Sequence, residues 1–272
     1  MIITASQLLE PCFARWNYRF RLNIDPFAPP LGVEKPEPIR LGIDIHAAVL
    51  QGEEPQFIET RVLKAGMHFL EFDSKLELQD TEVVKTKQID ADLILAGRID
   101  GIGLYENEPC IYELKTSRFS PSDSYWEQKE MDAQILMYMA LTGIRLAVVD
   151  HFRVPTFSKT KWGDEWADRV LEDIKEKPQT YYSRYVVRHS PQEISEFLED
   201  VKLFKDLIVY QLARNRFLRV RSQCSEFRRT CPYWPLCKGK VKISDCSRTQ
   251  PFEELQPEIQ AILDSVEGQI PF

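Results

Sequence analysis

Asp100 and the triplet Glu113-Leu114-Lys115 constrain this chain more than any other feature. Twelve residues separate Asp100 from Glu113, inside the run AGRIDGIGLYENEPCIYELKT. That run reads as Gly97 to Tyr105 in one strand, Glu106-Asn107-Glu108-Pro109 as a polar turn, and Cys110 to Thr116 as the returning strand. Side chains alternate along a strand, so Glu113 and Lys115 project from one face while Leu114 packs behind them. A hairpin brings Asp100 beside that pair. Two carboxylates and an ammonium in one small site suit a divalent cation next to a water that attacks a phosphate. Taken alone, the pattern equally describes a solvated strand face with a weak ion pair.

Two flanking segments add to it. Residues 42–50, GIDIHAAVL, form a short helical stretch with a single histidine, His46. Tyr125 to Leu141 has helix-forming composition, with Gly143 placed to end it. Gln134 and Tyr138 are four apart and share a helical face, a spacing that half-buried packing alone would also produce.

In this order the elements resemble the PD-(D/E)XK nuclease superfamily, in particular its RecB-like branch, which includes AddB nuclease domains, CRISPR adaptation nucleases and phage exonucleases. The family pattern is a helix with a metal-binding His, then Asp, then Glu-x-Lys, then a helix bearing Gln-x3-Tyr. His46, Asp100, Glu113, Lys115, Gln134 and Tyr138 each match one of those positions. The resemblance implies an α/β fold, a restriction-endonuclease-like mixed sheet flanked by helices. It also implies Mg²⁺ or Mn²⁺ held by Asp100, Glu113, the Leu114 carbonyl and His46. Lys115 would then position the attacking water, Gln134 would orient the site and Tyr138 would touch the DNA backbone. Oxygen donors suit either ion, and Mn²⁺ tolerates an imidazole.

Six cysteines are present: Cys12, Cys110, Cys224, Cys231, Cys237 and Cys246. No start resembling a signal peptide is seen, and no apolar run reaches the roughly 18 residues a membrane helix needs. A cytoplasmic, reducing setting argues against a disulfide framework. The related branch that carries an iron–sulfur cluster draws one ligand from the N-terminal region and three from beyond the core. CPYWPLC, residues 231–237, looks much like its local sequence. The resemblance thus implies a 4Fe–4S cluster on Cys12, Cys224, Cys231 and Cys237, joining the two ends of the chain. Structural zinc is the alternative, although the six-residue gap between Cys224 and Cys231 departs from short zinc knuckles.

Net charge is −7, yet residues 202–248 hold twelve Lys or Arg against three acids. Such a segment suits phosphate backbone contact, with Arg228 and Arg229 within it. Tyr233 and Trp234 either stack on bases or wall the cysteines off from water. Residues 251–272 carry five acids and no Lys or Arg. They close on Ile270-Pro271-Phe272, similar to the C-terminal peptide of bacterial single-strand DNA-binding proteins.

The reading is one nuclease domain over residues 1–272. It comprises an N-terminal helix (1–35), a core (36–190), a helical cysteine-bearing region (191–248) and an acidic tail (249–272). Further expected elements are helix over 1–20, strands near 57–72, 76–89, 92–105 and 146–154, and a helix opening at Ser190-Pro191. The expected activity is a metal-dependent DNA exonuclease of phage-type recombination or repair, leaning weakly to 5′-to-3′ polarity. It would work beside a single-strand annealing or single-strand-binding protein. The alternatives are a CRISPR adaptation nuclease that trims DNA, and a DNA-end-binding protein with a decayed site. Intact Asp100, Glu113 and Lys115 argue against the last.

Overall fold

Six strands form one mixed sheet: β1 (Ile2–Ile3), β2 (Leu76–Asp90), β3 (Leu93–Tyr105), β4 (Glu108–Ser117), β5 (Leu146–Arg153) and β6 (Tyr182–Arg188). The computed structural model describes residues 1–33, 37–67, 75–157, 159–226 and 229–248. The strand order is β1-β3-β4-β5-β6, with β2 also paired to β3. β4 runs antiparallel to β3 and parallel to β5, while β6 runs antiparallel to β5. The helices are α1 (Ala5–Leu8), α2 (Phe13–Trp16), α3 (Glu37–Leu50), α4 (Ile58–Gly66), α5 (Asp123–Glu130), α6 (Ala133–Thr142), α7 (Lys159–Trp162), α8 (Trp166–Glu176), α9 (Pro191–Ala213) and α10 (Trp234–Cys237). This is the mixed sheet flanked by helices that the sequence predicts. Among the described residues no helix is long and apolar enough to cross a membrane.

The hairpin at the centre of the sheet is tighter than expected. Glu106 (φ 50°) and Asn107 (φ 66°) both take the left-handed conformation of a two-residue hairpin loop. Glu108 and Pro109, expected in the turn, already pair with Tyr105 and Leu104. Proline is tolerated there because it stands at the beginning of the strand. On the other side of β3, a Cβ at Gly103 would lie 2.1 Å from the Glu77 carbonyl oxygen, so only glycine allows β2 to approach.

Three local expectations need correction. Residues 58–66 form α4 instead of a strand, and the rest of that expected strand runs into residues 68–72, outside the described set. The β-branched Ile58, Thr60 and Val62 suggest alternation, but Glu59, Val62, Leu63 and Gly66 are buried at helical spacing. The expected helix over 125–141 is two helices, because Asp132 accepts a hydrogen bond from the Gln134 N–H at 2.9 Å and starts α6 afresh. Residues 1–20 contain β1 as well as short helices, although the Thr4 N–H does donate to Gln7 Oε1, as a capping box requires.

The chain divides into two compact units, Met1–Lys35, Val84–Gly97 and Ser195–Phe272 in one, Pro36–Val83 and Arg98–Ile194 in the other. In the second, Leu41 and Ile45 of α3, Leu63 of α4, Leu114, Val148 and Phe152 of the sheet, and Val170 and Ile174 of α8 share one buried core. Each such side chain contributes about 1.5–3 kcal/mol on leaving water. The first unit has a smaller core of Tyr18, Ile24, Tyr233 and Leu236. There the Tyr233 hydroxyl donates to the Ile24 carbonyl at 3.1 Å, fixing the chain's beginning to a segment two hundred residues later.

Candidate active site

β4 carries the centre of the site. Its backbone is paired to β3 as far as Tyr112, opposite Gly101, and to β5 throughout the stretch from Ile111 to Ser117. Beyond Tyr112 the Asp100 side chain replaces the β3 backbone as partner. Asp100 Oδ2 accepts from the Leu114 N–H at 2.8 Å. That bond holds the carboxylate against the Glu113-Leu114-Lys115 segment.

His46, on α3, faces the same oxygen, with Nδ1 3.6 Å from Asp100 Oδ2. Donor atoms of His46, Asp100 and Glu82 all lie within 4.8 Å of one another. Glu82 has no place in the sequence motif. It lies on β2 with φ 52°, a left-handed conformation rare for a non-glycine residue in a strand. Arg98 Nε stands 3.1 Å from its Oε2. A break in the alternation of β2 redirects the side chain, and spacing along a sequence carries no trace of such a break.

Glu113 is only 1% exposed. One of its oxygens pairs with the Lys115 ammonium, and the other, Oε2, is buried with no hydrogen-bond partner among the described residues. A buried carboxylate oxygen without a donor is costly unless something positive meets it. Lys115 Nζ also donates to Gln134 Oε1 at 2.8 Å. The Gln134 amide nitrogen in turn donates to the Tyr138 hydroxyl at 2.8 Å, and that hydroxyl donates to the Arg98 carbonyl at 2.6 Å. Gln134 and Tyr138 thus form one relay from α6 to the ammonium. Tyr138 is buried, with its hydroxyl engaged on both sides.

Burial sets the charges. It pushes the Glu113 carboxyl up to about 7, against the pull of Lys115. Asp100 is raised to about 6, also by burial and against its bond from Leu114. Burial works against the charge on Lys115, but the Glu113 carboxylate outweighs it and the ammonium is held above its ordinary range. His46 is lowered by burial, which favours the neutral imidazole that a metal would need.

Further along the same face of β4, the Ser117 hydroxyl lies 3.0 Å from His151 Nε2. His151 is buried in register with Lys115, and burial lowers it to about 4, so it is neutral. Beside it, Trp126 stacks on Tyr185 with ring centroids 5.2 Å apart, and Phe119 is 80% exposed. None of these five residues is marked by the sequence motif, and it is the β4–β5 register that sets His151 opposite Lys115.

The cysteines fall in the first unit. Cys12, Cys224, Cys231 and Cys237 line one cavity of about 330 Å³ together with Arg15, Tyr233 and Trp234. Cys110 is buried in β4, and Cys246 does not line the cavity. Among the described residues no three cysteine sulfurs lie within 4.8 Å of one another. Tyr233 is buried and Trp234 half-buried, with the Lys240 ammonium 4.4 Å from its ring centroid. Arg228 and the Ile270-Pro271-Phe272 end lie outside the described residues, and of Arg229 only the backbone, in a short strand over Arg229–Thr230, is described.

No family model matches this chain, and no curated protein does. Among solved structures, a protein assigned as an exonuclease from Eubacterium rectale aligns over 94% of this chain and 92% of its own. The identity is 11% and the TM-score 0.50. An alkaline exonuclease from Laribacter hongkongensis aligns over 78% of this chain and 90% of its own, at 14% identity and TM-score 0.41. The likeness to the first is one of fold. This chain shares its mixed α/β fold.

Proposed function

We propose that the protein is a DNA nuclease of the PD-(D/E)XK type, acting on strand ends with Mg²⁺ or Mn²⁺. The observation that carries this reading is the meeting of His46, Glu82 and Asp100 within 4.8 Å, beside the unpartnered buried oxygen of Glu113 and the ammonium of Lys115. Oxygen donors with one imidazole fit Mg²⁺ poorly and Mn²⁺ well, though either is compatible with three carboxylates. Asp100, Glu113, Glu82 and His46 would hold the ion, which supplies charge stabilisation at the phosphoryl oxygens.

The protein groups do the rest. Lys115 keeps its proton, so it acts as a hydrogen-bond donor that orients a water and offsets the negative charge of the attacking oxygen. Gln134 fixes the ammonium, and Tyr138 fixes Gln134. Because Tyr138 is buried, we assign it this positioning role in place of a contact with the DNA backbone. Phe119 and the Trp126–Tyr185 stack offer faces on which the bases of a strand end would rest, as aromatic side chains do in other single-strand sites.

The four cysteines that share a cavity are proposed as ligands of a 4Fe–4S cluster. A tetrahedral zinc site would bring sulfurs to about 3.8 Å of one another, given Zn–S bonds of ~2.3 Å. What supports the reading is that four cysteines, from residue 12 and from residues 224–237, line one cavity, thiolates being the usual ligands of such a cluster. Tyr233 and Trp234 are then walls of that cavity.

The deciding experiment is degradation of end-labelled linear DNA with Mg²⁺ or Mn²⁺ by the wild type and by Lys115→Ala. Loss of degradation in the variant supports the assignment. Equal degradation by both removes Lys115 from the mechanism, and none by either favours a DNA-end-binding role.

A further inference from the structure

A second cavity, of about 780 Å³, lies in the first unit and has a different character. Arg21, Arg216, Arg219 and Arg221 line it, and among the described residues no carboxylate does. Among the described residues no acid pairs with Arg216, Arg219 or Arg221. The four arginines are exposed, so water and salt screen their mutual repulsion; an anion between them would be met from several sides, and arginine matches phosphate oxygens with paired N–H groups.

The walls are held in place before any ligand arrives. Gln211 is buried at the end of α9, where its Oε1 accepts from the Leu218 N–H at 2.7 Å. The Leu218 carbonyl accepts from the Ala14 N–H at 3.0 Å, tying the loop after α9 to α2. Arg21 is steadied by Asn17 Oδ1 at 3.1 Å, and its guanidinium lies 5.9 Å from the Phe217 ring centroid. Phe217 is half-buried and offers a flat apolar face within the same cavity. The volume falls in the range of organic ligand sites, well above what inorganic phosphate needs.

We propose that this cavity is a second, non-catalytic site for a nucleotide phosphate, with the arginines on the phosphate and Phe217 against the base. The nucleotide is either free or part of a single strand, and these share the same chemistry. Arg219 and Arg221 also line the cysteine cavity, where they would offset thiolate charge whatever binds next door. Arg21 and Arg216 do not line it, so they are the residues to change.

The test uses the full chain in EDTA, which prevents cutting and makes the result independent of the nuclease reading. Calorimetry with dAMP and fluorescence anisotropy with a short 5′-phosphorylated single strand are compared for wild type and Arg21→Gln/Arg216→Gln. The expected result is a loss of tenfold or more in affinity. For the strand, the slope of log K against log salt should also become shallower by about 1.4, at ~0.7 per lost phosphate contact. Loss for both ligands identifies a free nucleotide as sufficient, and loss for the strand alone identifies a strand; either supports the site. Unchanged affinity for both ligands, or no binding of either by the wild type, overturns it. Phe217→Ala keeps every charge and serves if the double variant melts early. It should weaken whichever of the two ligands the wild type binds at this cavity at least fivefold and leave inorganic phosphate competition unchanged, whereas equal binding of that ligand by this variant and the wild type rejects the cavity as a nucleotide site.

Discussion

Lys115 and Gln134 come from different elements, β4 and α6, and meet at 2.8 Å through Nζ and Oε1. The ammonium is therefore held on two sides, by Glu113 and by this amide, and the amide is held in turn by Tyr138. Gln134→Leu keeps the size of the side chain and removes both bonds. A buried donor left without its partner costs about 1–3 kcal/mol, so urea unfolding should show a loss of that order. Cleavage should fall by tenfold or more in kcat with KM nearly unchanged. Tyr138→Phe should reproduce part of both losses, and the double variant should lose less than the sum, because the residues act as one relay. Strict additivity would separate Tyr138 from Lys115.

The raised carboxyls give a pH dependence with a definite sign. Burial lifts Glu113 to about 7 and Asp100 to about 6, so in the metal-free folded protein both hold protons more tightly than in the unfolded chain. Their contribution to stability is thus fully present below the ordinary carboxylate range and is lost as pH rises through 6 to 7. His46 and His151, lowered by burial, act in the opposite direction over this interval, so the carboxyl contribution is read against Glu113→Gln: between pH 5 and pH 8 the metal-free wild type should lose melting temperature relative to that variant. Mn²⁺ needs the ionised forms, so its affinity should rise over the same interval with proton release, and saturating Mn²⁺ should flatten or reverse the melting trend. Calorimetry in buffers of different ionisation heat measures the protons directly. A wild type that gains melting temperature relative to Glu113→Gln as pH rises in EDTA would contradict the burial of Glu113 with Oε2 unpartnered.

Glu82 separates stability from metal binding. Its left-handed backbone is strained for any residue with a Cβ and relaxed for glycine. Its ion pair with the half-exposed Arg98 is worth little. Glu82→Gly should therefore leave stability unchanged or raise it by up to about 1 kcal/mol while weakening Mn²⁺ binding about tenfold. Weaker folding with unchanged Mn²⁺ affinity would remove Glu82 from the ligand set.

The contrast between Glu113 and Glu82 explains what the sequence makes legible. Alternation along β4 places Glu113 and Lys115 on one face, and a two-residue loop brings β3 alongside, so local rules reach the centre of the site. Glu82 depends on a single backbone torsion in β2, and His151 on the register of β5 against β4. Neither leaves a signature in residue order. The error over 57–72 has a related cause. The β-branched residues of that segment favour a strand locally, and packing of Val62 and Leu63 into the core that also takes Val170 and Ile174 decides for a helix. The break at Asp132 was readable in principle, since an aspartate two residues before Gln134 is a good N-cap, but a continuous apolar pattern hides it.

The cysteine cavity makes the last prediction, because it distinguishes four thiols from two. Cys12, Cys224, Cys231 and Cys237 face one space, whereas Cys246 bonds weakly to the Lys242 carbonyl and Cys110 is enclosed by the sheet. Protein purified without oxygen should be brown, with absorbance at roughly 400 nm and close to four irons per chain, if a cluster fills the space. Serine at any one of the four lining positions should lower the iron content and lose most of that absorbance. Cys246→Ser should retain both. The lining variants should also melt earlier, since a cluster held from residue 12 and from residues 224–237 would cross-link the small core of Tyr18, Ile24, Tyr233 and Leu236. Zinc at one per chain with no iron would replace the cluster by a mononuclear site. A colourless, metal-free protein with unaltered melting in all four variants would leave the cavity as ordinary packing.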